Sequence, residues 1–175
     1  MSLKLKVELA DLEKEAAELR AKRDQLYSTE IQKIIDQVKA DADNYLKGQG
    51  LTSSLKNEKL IYSASGKDWL SIDYSALNTN GLGWQFIDIS YEDKKYKVQL
   101  LIDSDVDIPS QATLFGTEAE NLQKKIAFHN EKLLPALRES ASKQLPGTYV
   151  LVWVKNGPNN ETYPDMRSLL EKITA

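Results

Sequence analysis

The sequence predicts an α+β protein: a long N-terminal coiled-coil helix, then a mainly antiparallel sheet packed with two C-terminal helices. The sheet is expected to hold a meander of about four strands plus one central strand. Three observations carry this reading. Residues 1–47 place apolar side chains at steps of four and three, with neither Gly nor Pro before Gly48. Residues 60–102 alternate apolar and polar in short runs separated by turn residues. Residues 117–175 return to helical spacing around one β-prone run at 148–154.

In the first segment the seam runs through Leu5, Leu9, Leu12, Ala16 and Leu19. Arg23, Tyr27 and Ile31 follow at intervals of four, a stutter that unwinds a left-handed supercoil without ending the helix. Ile34, Val38, Ala42 and Tyr45 then resume the mixed rhythm. About 46 residues at ~1.5 Å rise make a rod of roughly 70 Å. The rest of the chain, as a compact body, spans only about 35 Å. Either the rod pairs with a second copy, or it breaks near the stutter and folds back. An exposed row of leucines favours pairing. The expectation is a homodimer with Leu5, Leu9, Leu12, Ala16, Leu19, Tyr27, Ile31 and Ile34 at the interface. Glu13, Lys14, Glu15 and Glu18 have the mixed charge of a solvated face.

Residues 48–57, rich in Gly, Ser and Thr, read as a linker to a head domain over 58–175. Strands are expected at 60–64 and 69–74, joined by Ser65-Gly66-Lys67-Asp68. Asn78-Thr79-Asn80-Gly81 and Gly83 mark a loop before a strand at 84–91. There Trp84, Phe86, Asp88 and Ser90 face one way and Gln85, Ile87, Ile89 and Tyr91 the other. Glu92-Asp93-Lys94-Lys95 turns the chain into a strand at 96–102. Thr117 with Glu120 has the spacing of a capping box. The helix after it carries Leu122, Ile126, His129, Leu133 and Leu137 on one face, with a kink or restart at Pro135. Leu145-Pro146-Gly147 closes it, and the run at 148–154 reads as a strand buried on both faces. After a loop at 156–162, Pro164 opens a terminal helix with Met166, Leu169, Leu170 and Ile173 on its apolar side.

Composition narrows the function classes. The 175 residues are 41% hydrophobic and 28% charged, with a net charge of −3. Residues 1–48 hold 9 basic and 10 acidic side chains, 49–116 hold 6 and 9, and 117–175 hold 8 and 7. No block has the basic excess that a nucleic-acid partner calls for. The absence of cysteine excludes disulfides, thiolate catalysis and Cys-type zinc sites. With a single histidine, no multi-histidine metal centre can form, and no cofactor is expected. No apolar run reaches the roughly 18 residues that span a bilayer. Nor is there a signal-peptide core at the start, so a cytoplasmic protein without a membrane partner is expected.

Several residues have types and spacings that bear on chemistry. Asp103-Ser104-Asp105-Val106-Asp107 has the alternate spacing of a calcium loop. Ile108 and Leu114 stand where an EF-hand needs Gly and Glu, so strand-end capping is the expected role. His129, on the apolar seam beside Phe128, reads as a hydrogen-bonded packing residue, and Trp69, Trp84 and Trp153 read as core. Lys94, Lys95 and Lys97 with Tyr91 and Tyr96 form a small basic-aromatic group, offset by Glu92 and Asp93.

The element order, with Asp73 followed by Glu92-Asp93-Lys94, resembles the core of the PD-(D/E)xK nucleases. That resemblance implies a metal-dependent phosphodiesterase with Asp73, Glu92 and Lys94 at its centre. Here Ile72 replaces the proline that usually precedes the first acid, and Glu92 and Lys94 fall in a predicted turn. The stretch Ile34-Ile35-Asp36-Gln37-Val38 through Gly50-Leu51-Thr52 looks like the oligomerising helix and linker of H-NS-type nucleoid proteins, which implies a DNA-associated regulator. Those proteins continue into a small basic module, whereas this chain continues into a larger acidic one. A stalk bearing a meander-plus-helix head also looks like the RWD heads of kinetochore subunits, which implies a binding head. The function expected is that of a dimeric scaffold, its stalk presenting α+β heads that bind a protein partner by a groove or sheet edge.

Overall fold

The computed structural model describes residues 2–78, 85–104, 106–111, 113–155 and 157–175. Helix α1 (Ser2–Gly48) runs unbroken through the stutter, as its Ala, Leu, Glu, Lys and Gln favour. It ends in a glycine cap. Gly50 takes φ +86°, which lets the Leu51 amide donate to the Leu46 carbonyl at 3.2 Å and the Gly50 amide to Lys47 at 2.9 Å.

Among the described residues seven strands follow: β1 (Thr52–Lys56), β2 (Lys59–Ala64), β3 (Lys67–Asp73), β4 (Gln85–Tyr91), β5 (Lys94–Ile102), β6 (Tyr149–Val154) and β7 (Glu161–Tyr163). They form one antiparallel sheet in sequence order, and each pairs with the next. Between β5 and β6 lie α2 (Glu118–Phe128), a π-helical turn (His129–Leu133) and α3 (Leu134–Ser142), while α4 (Met166–Thr174) ends the chain. The α+β architecture is as expected, with additions. The presumed linker contains β1, which pairs through the two-residue turn Asn57-Glu58, both with positive φ. Four of its five residues are exposed, so no apolar alternation announced it. β7 is a three-residue strand at the end of the predicted loop. β6, read as the central strand, is bordered by β5 and this short β7, and only Leu151 and Val152 in it are buried. Trp84, Thr79, Asn80, Gly81 and Gly83, as well as Asp105 and Asn156, lie outside the described residues.

Packing divides the chain within α1 rather than after it. One unit comprises 1–28 and 104–146, the other 29–103 and 147–175. The expected division at 47 and 57 followed secondary structure, which is blind to such a split.

In the sheet unit the inward face carries Tyr62, Leu70, Ile72, Ile87, Ile89, Val98, Leu100 and Leu151, all buried. Alternation along each strand and the cross-strand register place them together. The second half of α1 covers this face with Ile31, Ile34, Ile35, Val38, Ala42 and Leu46, joined by Met166, Leu169, Leu170 and Ile173 of α4. Full burial of one such side chain stabilises by about 1.5–3 kcal/mol. Two polar contacts tie the helix to the sheet: the Tyr62 and Tyr149 hydroxyls reach Asp43 and Asp41, each at 3.4 Å.

The other unit is helical. Ala16 of α1 packs with Leu133, Leu134 and Leu137 as a closed cluster, flanked by Leu12, Leu19, Ile108 and Phe128. Ion pairs link Lys6 to Glu118 and Glu15 to Arg138, each at 2.6 Å. The partners rise together in sequence, so α1 and the α2–α3 segment run parallel. Thr117 caps α2 as its spacing predicted. Its hydroxyl accepts from the Glu120 amide at 3.3 Å, and the Glu120 carboxylate accepts from the Thr117 amide at 2.7 Å. Gly116 precedes it with φ +128°, and a Cβ there would lie 2.5 Å from the Glu120 carboxylate. The restart expected at Pro135 is a π turn. Pro135 has no amide proton, and the Leu134 amide reaches back five residues to the His129 carbonyl.

Candidate functional site

A cleft of about 520 Å³ opens in the helical unit. Each wall follows from a local rule. Glu13, Ala16 and Arg20 lie three and seven residues apart on α1 and so share one face. Lys125, Phe128, His129 and Leu133 line it from α2 and the π turn. Pro109, Ser110, Gln111 and Leu114, from the irregular segment before α2, form the third side. The floor is apolar. Ala16 and Leu133 are buried, and Phe128 meets the His129 ring edge-on, with centroids 5.9 Å apart at 87°.

The polar groups are fewer and specific. His129 Nδ1 lies 2.8 Å from the Lys125 carbonyl oxygen, which can only accept. Nδ1 is therefore the donor in this contact. Arg20 and Lys125 have no side-chain partner among the described residues, in contrast to Arg138 and Lys6, which are ion-paired. The cleft thus combines an apolar floor, two cations without a side-chain partner among the described residues, one carboxylate (Glu13) and the His129 imidazole. Among the described residues no three His, Cys, Asp or Glu side chains converge to hold a metal ion.

A second depression, of about 510 Å³ in the sheet unit, is lined by Asp41, Asn44, Tyr45, Asp165, Arg167 and Glu171. Its charges are already used. Arg167 pairs with Glu171 at 2.8 Å, and Asp165 accepts from the Ser168 amide at 2.7 Å as the cap of α4.

The residues singled out from sequence fall elsewhere. Asp73 pairs directly with Asp88 across β3 and β4, but Glu92 lies four residues further along, about 13 Å at strand rise. Lys94 pairs with Tyr91 and, by alternation, belongs to the opposite face from Asp73. The structure does not bring Asp73, Glu92 and Lys94 together. Asp73 instead accepts from the Ser75 amide at 2.9 Å and pairs with Lys59 at 3.4 Å. These contacts, the Ser75 bonds foremost, hold its carboxyl below the usual range. Glu92 sits at φ +53° in the β4–β5 turn, the turn role its charge suggested.

Of the expected interface residues, Leu9, Ala16, Tyr27, Ile31 and Ile34 are buried within the chain itself, and Leu5, Leu12 and Leu19 are half-buried. The premise of an exposed leucine row does not hold, because α3 and the π turn cover its middle. Trp69, expected in the core, is 39% exposed beneath the Lys67 ammonium, 3.9 Å from the ring centre. Trp153 is half-buried against Tyr96, with centroids 5.1 Å apart. Asp103 accepts from the Thr148 hydroxyl at 2.8 Å, closing the ends of β5 and β6. The sequence reads His129 as a packing residue, and the α1 side chains Glu13, Ala16 and Arg20 that make it part of a cleft come from distant sequence.

No protein-family model matches this chain, and neither a curated protein nor a solved structure is significantly similar to it. No described helix is long and apolar enough to cross a membrane.

Proposed function

We propose that this chain is a non-catalytic interaction protein that self-associates through the apolar end of its helical unit. One observation carries the reading. Of the seven large apolar side chains exposed among the described residues, four belong to that end: Leu3 at 73%, Val7 at 54%, Leu114 at 38% and Phe115 at 76%. The Lys6–Glu118 ion pair brings the start of α1 beside the start of α2, so the four share one region. Water-exposed Leu, Val and Phe in one patch favour association. Because the middle of the leucine row is occupied within the chain, a second copy would engage this end and not the full row.

A dimer of this kind would present two sheets. β1 pairs only with β2 among the described residues, which leaves its outer edge available to an extended segment of a protein partner. Two copies would raise avidity for a partner carrying two such segments. Sedimentation of the full chain from about 10 to 300 μM tests the proposal. A dimer that Leu3→Glu with Phe115→Glu converts to a monomer supports it. A wild-type chain that stays monomeric throughout overturns it.

A further inference from the structure

We infer that the cleft beside the π turn binds a small organic carboxylate with an apolar body. Its volume of about 520 Å³ lies within the range of small-molecule sites, roughly 300–1,000 Å³. Ordinary packing accounts for the floor but not for the rim. Arg20 and Lys125 both line this opening without a side-chain partner among the described residues, although Glu13 lines it too. The cations outnumber the carboxylate, so the rim favours a single negative charge. A guanidinium and an ammonium over an apolar floor suit a carboxylate whose tail rests on Phe128, Leu133 and Leu114.

The π turn strengthens the assignment. Such turns occur frequently at functional sites, and this one begins at His129, a residue lining the cleft. The His129 Nδ1 is held by the Lys125 carbonyl at 2.8 Å. The cleft shares Leu114 with the exposed apolar end but is lined by neither Leu3 nor Phe115, and nothing in the inference depends on self-association.

His129 is the single histidine of the sequence, so one pair of ring-proton signals reports on the cleft by NMR. Decanoate serves as probe, with decanol (chain without charge) and acetate (charge without chain) as controls. The expected result is a saturable shift of the His129 ring signals with decanoate only. Arg20→Gln and Lys125→Gln should each weaken binding roughly tenfold, the loss of one charge-assisted contact. The Leu3→Glu, Phe115→Glu variant should bind decanoate as the wild type does. Unshifted ring signals in the folded wild-type protein overturn the inference, and so do equal shifts with decanol or acetate. Undiminished binding by both cleft variants likewise overturns it. Both substitutions remove charges without a side-chain partner among the described residues, and the wild-type titration decides the matter even if a variant fails to fold.

Discussion

Replacing Leu137 with alanine asks whether the leucine row of α1 is sheltered by its own chain. Leu137 is fully buried in the cluster with Ala16, Leu133 and Leu134. Truncation removes three carbons worth about 0.8 kcal/mol each. The void left behind refills only in part, which brings the total to about 3 kcal/mol. For a unit this small a urea m-value of about 1–1.5 kcal/mol/M is expected, so the midpoint should fall by about 2–3 M. The two units have separate reporters. Every tryptophan lies in 29–103 or 147–175, and His129 lies in 104–146. His129 signals should therefore reveal the loss directly, while tryptophan fluorescence shows whether the sheet unit follows. A midpoint shift below about 0.5 M would refute the internal shelter. So would a wild-type midpoint for the helical unit that climbs with protein concentration, since shelter from a second copy obeys mass action.

Two further predictions concern pH. Asp165 caps α4, and its bonds to Ser168 hold its carboxyl below the usual range. A depressed folded pKa gives stability that is complete above the unfolded value of about 3.9 and is lost as pH falls through the folded one. Asp165→Asn keeps the cap and should flatten the stability profile below about pH 4, as read by denaturant titration at stepped pH; an unchanged slope would contradict this. At the alkaline end, the Tyr149 phenol is pushed up to about 12, first by burial and then by the Asp41 carboxylate. A raised pKa gives stability that is complete below about 10 and is lost as pH rises through the folded value. Tyr149→Phe should therefore lose less stability than the wild type between pH 10 and 12, with phenolate absorbance at 295 nm following the ionisation.

Much of the chain's local structure could be read directly, because the signals are local. The unbroken α1 follows from 47 residues without an internal breaker before Gly48. The Thr117–Glu120 box requires only two residues three apart. Alternation in β4 grouped Gln85, Ile87 and Ile89 on one face, and the structure shows that face to be the buried one. The terminal helix buries Met166, Leu169, Leu170 and Ile173, as its spacing required. What lacked a local signal went unread. β1 is held by ladder bonds to β2 with scarcely any apolar burial, and β7 spans only three residues. The π turn was visible only as the proline that provokes it.

The candidate site was illegible for a stronger reason. Periodicity shows that Leu12, Ala16 and Leu19 need cover, but it is silent on who provides it. The cover comes from residues 133–137, more than a hundred positions away, and the same packing puts Arg20, Lys125 and His129 on the walls of one cleft. Sequence by itself determined the long helix, the apolar strands and the capped helices, since backbone sterics and side-chain spacing act within a few residues. Only the tertiary structure decided that the greasy row has a home on its own chain and that a cleft opens beside it, because burial depends on which distant surfaces meet.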